Sequence, residues 1–170
     1  MAKATKPIPP PAPDAPLPER PPAQVSVVPL AYRIARKEIG VKETAGSEDN
    51  PRVLEYHRST RLPESAVQDE TAWCSSFVNW CMKQAGQART MSASALSWLR
   101  WGVALDEPVL GCVVVFSRHV AGAPDGVHGH VGFYVGTKGD DIIVLGGNQH
   151  NEVCEKPYPK KRLLAYRGAA

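Results

Sequence analysis

No hydrophobic run in these 170 residues approaches the roughly 20 apolar positions that a membrane-crossing helix needs, so no membrane span is expected. The N-terminus carries lysines but no apolar stretch, which predicts synthesis in the cytoplasm without a secretory signal peptide. The four cysteines, Cys74, Cys81, Cys112 and Cys154, form no C-x-x-C pair and no disulfide-like spacing. Free thiols are therefore expected, and a zinc module using them with His128 and His130 is disfavoured. No Lys/Arg run is interleaved with aromatics, and a formal charge of +3 is too small to argue for nucleic acid. Internal repeats are absent, and so is an Asp-rich loop of the kind that binds calcium. Nothing in the pattern calls for self-association, and a monomer is expected.

Proline, by contrast, is abundant in one place. Ten of the sixteen prolines fall within the first 29 positions, as in Ile8-Pro9-Pro10-Pro11-Ala12-Pro13. Such a segment lacks N–H donors and apolar mass, so residues 1–28 are expected to form an extended, disordered arm. It would serve as a spacer or as a docking element for a partner. Residues 29–170 have the composition of one globular domain, at 43% hydrophobic and 22% charged for the whole chain.

Within that domain the hydrophobic period is first helical and then strand-like. Leu30, Ile34, Ala35 and Ile39 predict a helix between Pro29 and Gly40. A second is expected from Pro51 to Arg58 behind an Asn50 cap, a third from Trp73 to Ala85, and a short fourth from Ala93 to Trp101. Strands follow at 113–116, 130–135, 141–145, 152–154 and 163–167, separated by Gly, Pro and Asp turns. Helices followed by an antiparallel meander read as an α+β fold.

Cys74 opens the third helix, where unpaired N–H groups and the positive end of the helix dipole favour a thiolate. A buried structural cysteine is the competing reading. Cys81, two turns on, and Cys112 read as core residues. His130 opens a strand 56 residues after Cys74, and Cys plus His suggests nucleophilic catalysis. If the next two strands pair symmetrically about Gly139, His130 stands opposite Asn148, which could then orient the imidazole. A one-residue slip would break that pairing, and Gln149 is the second candidate for the role or for substrate contact. Gly146 and Gly147 suit a close backbone approach. Trp73 is expected either to wall the cleft or to pack in the core. The Gly/Pro-rich stretch from Ser117 to Gly129 is a further expected site of substrate contact, with His128 at its end.

The residues Glu70-Thr71-Ala72-Trp73-Cys74-Ser75-Ser76-Phe77-Val78-Asn79-Trp80-Cys81, then Gly129-His130-Val131-Gly132-Phe133-Tyr134-Val135-Gly136 and Leu145-Gly146-Gly147-Asn148-Gln149, resemble the CHAP/NlpC-type superfamily. The likeness is to its phage-associated, endolysin-like branch. It departs from the family in having Gly146-Gly147 where an acidic residue often precedes the Asn, and Trp73 where many NlpC-type members carry Asp. The resemblance implies a papain-like domain with N-terminal helices packed on a small antiparallel half-barrel sheet. It implies Cys74 as nucleophile, His130 as general base and acid, and Asn148 as the orienting residue; Trp73, Gln149 and His128 are the residues expected in substrate contact. The implied partner is bacterial peptidoglycan, cut at an amide bond of the stem peptide or at the sugar–peptide junction, with no metal or cofactor. The enzyme would act on the wall after release or delivery. The alternatives on the same fold are acyl transfer and a catalytically inactive wall-binding domain.

Overall fold

The computed structural model describes residues 28–46, 48–118 and 128–170. The expected proline-rich arm, apart from Val28, and most of the expected substrate loop before Gly129 lie outside the described residues.

Three α-helices precede a single sheet: α1 (Leu30–Lys37), α2 (Pro51–His57) and α3 (Cys74–Gln84). Their ends follow local chemistry. Pro29 precedes the first residue of α1, and Gly40, at φ +95°, turns the chain after its last turn. The Asn50 side chain accepts a hydrogen bond from the Arg52 N–H, and Pro51 occupies the first helical position of α2. The expected fourth helix is instead a 3-10 segment, Ala95–Arg100, held short by Trp98, which is fully buried.

Six strands, β1 (Val103–Leu105), β2 (Val113–Ser117), β3 (Gly129–Lys138), β4 (Asp141–Gly146), β5 (Cys154–Pro159) and β6 (Leu163–Gly168), make one open antiparallel sheet in the order β1-β6-β2-β3-β4-β5. The α+β expectation, helices packed on an antiparallel sheet, is met. Three details differ. The meander runs from β2 to β5, but β6 returns to pair with β2, and β1 adds to it at the rim. The fifth strand lies later than expected, because the run Cys154–Pro159 carries two prolines yet sits at the sheet edge, where a missing N–H is tolerated. The β3–β4 turn closes on the pair Lys138↔Asp141, so it is tighter than a turn centred on Gly139. A bulge between Tyr134 and Gly136 then restores the symmetric register, giving Tyr134↔Val144 and Phe133↔Leu145.

Helix α3 is the central strut. All residues from Cys74 to Met82 are buried, including the polar Ser75, Ser76 and Asn79. Phe77, Val78 and Cys81 pack with Tyr32 of α1, Tyr56 of α2, and Val115, Val131 and Phe133 of the sheet. The other side of the sheet has its own cluster of Val114, Phe116, Ile142, Val144 and Tyr158. Burying a single large apolar side chain contributes about 1.5–3 kcal/mol, so the two clusters hold β2 and β3 from both faces.

Candidate active site

Helix α3 begins with Trp73 at its N-cap, which offers no side-chain hydrogen bond, so the first N–H groups remain available. Three polar anchors fix the helix start. Ser75 donates through Oγ to the Ser92 carbonyl at 2.7 Å and accepts from the Trp98 indole N–H at 2.9 Å. Asn79 accepts from the Met91 N–H at 2.7 Å. Ser76 Oγ lies 3.0 Å from His57 Nδ1. A helix held this way presents Cys74 from a rigid element.

Cys74 is 3% exposed, and burial pushes its thiol above the usual range. The opposing influences are the Val131 N–H, the Arg118 guanidinium and the N–H groups of Ser75 and Cys74, all of which favour the thiolate. The Val131 contact sets the thiol beside the residue that follows His130. Burial also depresses His130, to about 3; Gln149 opposes this, whereas Arg118, Lys156 and Arg162 add to it. The resting pair is therefore a neutral thiol and a neutral imidazole. The helix N-terminus moderates the cost of ionising Cys74 without overcoming its burial.

The orientation of the imidazole follows from Gln149. The Gln149 amide nitrogen donates to the carbonyls of Val144 and Cys154, so its oxygen must face the other way. That oxygen lies 3.0 Å from His130 Nε2, which then carries the proton and donates. Nδ1 is left as the basic nitrogen, the one that can accept a thiol proton. Tyr158 stacks on the imidazole at 4.7 Å with 10° between planes, and Phe116 stacks with Tyr158 at 4.9 Å. Hydrogen bond and stacking together leave the ring one orientation.

Residues 66–148 match the family model of the CHAP domain. The CHAP match spans α3 and the β2–β4 core with Cys74 and His130, and it ends one residue before Gln149. It supports the cysteine peptidase or amidase class. A crystal structure of a Staphylococcus aureus protein described as similar to lipoprotein, of the NLP/P60 family, aligns over 75% of this chain and 45% of its own, with 17% identity and a TM-score of 0.40. The chain thus spans less than half the length of that protein. No curated protein matches significantly.

Around the CHAP pair, the expected site residues separate. Asn148 does not make the orienting contact. The β4 ladder ends at Gly146, and Asn148 takes φ +55°, which turns its side chain out of the strand alternation. It lines the cleft, half-buried, while Gln149, only 1% exposed, holds His130 from behind. Gln149 is accordingly a positioning residue, without surface for substrate. Trp73 has no surface either: it is fully buried, donates to Glu43 Oε1 at 2.7 Å and packs 5.8 Å from Tyr56. Gly147 is what admits it, since a Cβ there would lie within 3 Å of the Trp73 ring and of Phe77. Gly147 and Trp73, two residues at which the chain departs from the resemblance, thus lie against each other. His128 is exposed at the entrance to β3, where its carbonyl accepts from the Arg118 N–H. Cys81 and Cys112 are core thiols, raised by burial, Cys112 to about 11.

Sequence reasoning missed Tyr158, Arg118, Lys156 and Arg162. No local pattern marks them, because their convergence depends on β5 and β6 folding back. Asp69 accepts from the N–H groups of Thr44 and Asn50, each at 2.8 Å, while its own N–H donates to Asp49. Asp49, Asp69 and Glu70 form an acidic cluster among the described residues, and these bonds make it a clasp between two loops.

Proposed function

We propose that the chain hydrolyses an amide bond in peptidoglycan through a thioester on Cys74. The carrying observation is the Gln149–His130 contact, which leaves Nδ1 basic on a ring clamped by Tyr158, next to a thiol at a helix start. Nδ1 takes the Cys74 proton as the sulfur attacks the carbonyl carbon, which keeps charge separation out of the buried resting state. The tetrahedral oxyanion is met by backbone N–H groups at the start of α3, that of Cys74 included. His130 returns the proton to the leaving amine, then deprotonates water for attack on the thioester, which releases the acid and regenerates the thiol. A depressed imidazole pKa makes His130⁺ a willing donor to the departing nitrogen. The enzyme is made in the cytoplasm and reaches the wall after release or delivery.

The test is loss of turbidity, or clearing in a zymogram, on purified peptidoglycan. Wild type clears the wall and Cys74→Ala does not; equal clearing by both removes Cys74 from the mechanism. Mass spectrometry of released fragments separates scission within the stem peptide from scission at the sugar–peptide junction.

A further inference from the structure

Arg118, Lys156 and Arg162 converge on one cleft of about 270 Å³ with His130, Asn148 and Tyr158. Three cations at one mouth repel each other, and among the described residues no carboxylate pairs with any of them. Neutral groups hold two of them in place. Arg162 donates to the carbonyls of Ser117 at 2.9 Å and Arg118 at 3.0 Å, which orients the guanidinium without neutralising it. Lys156 Nζ lies 2.9 Å from His150 Nε2 and 5.8 Å from the centre of the Tyr158 ring. Arg118 is exposed, and its charge reaches both the Cys74 thiol and His130. Lys156, Tyr158 and Arg162 lie beyond the segment that matches the CHAP domain, and Arg118, His130 and Asn148 lie within it.

We propose that this cleft is an anion subsite that receives a free carboxylate of the stem peptide beside the scissile amide. The inference rests on the reading of Cys74 and His130 as the hydrolytic pair and adds what they select. A carboxylate is the ligand that fits: the arginines can donate in pairs, Lys156 supplies a point charge, and the Asn148 amide can donate at the rim. Tyr158, itself buried, lines the cleft beside them. Binding an anion here would also offset the three cations, which add to the burial that holds His130 neutral, easing its protonation when substrate is present. An amidated stem peptide of the same shape would lose the charge-assisted bonds and leave the cations unpaired.

The experiment titrates the full chain carrying Cys74→Ala, by calorimetry at low and high salt, with two forms of the tripeptide L-alanyl-γ-D-glutamyl-L-lysine. In one the α-carboxyl of the glutamyl residue is free, and in the other it is amidated. The free acid is expected to bind about tenfold more tightly, with the difference shrinking at high salt. Adding Lys156→Gln or Arg118→Gln is expected to cut that ratio by about threefold or more, with thermal unfolding used to check that each variant is folded. Two variants are used because the charge of Arg118 reaches the thiol, whereas Lys156 lies against His150 and the Tyr158 ring. Equal binding of the two peptides, no binding of either, or a ratio unchanged in both variants overturns the subsite. A third titration uses inorganic phosphate alone; tight phosphate binding without discrimination between the peptides assigns the cleft to a phosphate and overturns the carboxylate proposal. Wall clearing by the wild type is measured beside these. Inert wild type with intact discrimination defeats the hydrolase reading and keeps the anion subsite, and the reverse result defeats the subsite alone.

Discussion

The start and the middle of α3 carry the same functional group in opposite circumstances. Cys74 and Cys81 lie two turns apart, both nearly or fully buried, and burial raises both thiols. At Cys74, helix-start N–H groups, the Val131 N–H and Arg118 work against that rise. Cys81 has no such help: its own N–H offsets a little, and the charge of Glu38 adds to the penalty. Burial alone therefore does not separate the two cysteines. The groups that compensate an ionised sulfur do, and a helix supplies them at its first turn, not at its centre.

The largest effect expected from breaking this comparison is on catalysis. Cys74→Ala should lower wall hydrolysis by about 10³-fold or more. Cys81→Ala should leave the reaction intact and cost about 1–2 kcal/mol in denaturant unfolding, as a small core truncation. Similar activity loss in the two folded variants would erase the distinction. Next is the holder of the imidazole. Gln149→Ala should lower kcat by about 10²-fold, because the ring loses its fixed tautomer, while Asn148→Ala should have the smaller effect on kcat. A larger loss of kcat for Asn148→Ala would return the orienting role to that residue.

A third prediction tests the packing that carries the helix start. Gly147→Ala should destabilise the fold by about 1–3 kcal/mol, since its methyl group would meet Trp73 and Phe77. Pairing it with Trp73→Phe should recover part of that loss, read as the urea midpoint. The last prediction concerns pH. His130 is held near 3 when folded and His57 is also lowered by burial, so the unfolded chain binds more protons than the folded one below about pH 6.5. Stability contributed by keeping these rings neutral is complete above the unfolded pKa. It falls as the pH drops toward 3, with a slope of about 1 kcal/mol per pH unit per group within the window. A melting temperature that rises on acidification from pH 6.5 to 5 would contradict the buried, neutral state of both rings.

Local signals carried much of the fold. The caps at Pro29 and Asn50 marked α1 and α2, and the hydrophobic stripe marked α3. The change of period located β2, β3 and β4. The 3-10 segment at Ala95–Arg100 and the edge strand Cys154–Pro159 were less legible, because tertiary packing of Trp98 and an edge position override weak local propensity. The pairing of β6 with β2 has no local signature at all.

Sequence alone determined that a cysteine would open a helix and a histidine would open a strand, since caps, periodicity and turn residues act over a few positions. It also marked Gly146-Gly147 as a close approach. Tertiary structure decided the rest of the site. One left-handed residue at Asn148 exchanged the roles of two adjacent amides, turning one into the cleft and the other onto His130. Trp73 became core because Gly147 lies against its ring. Three cations, Arg118 just after β2, Lys156 within β5 and Arg162 just before β6, met only when those strands closed around Tyr158. Such outcomes depend on residues far apart in the chain, which a period or a cap does not record.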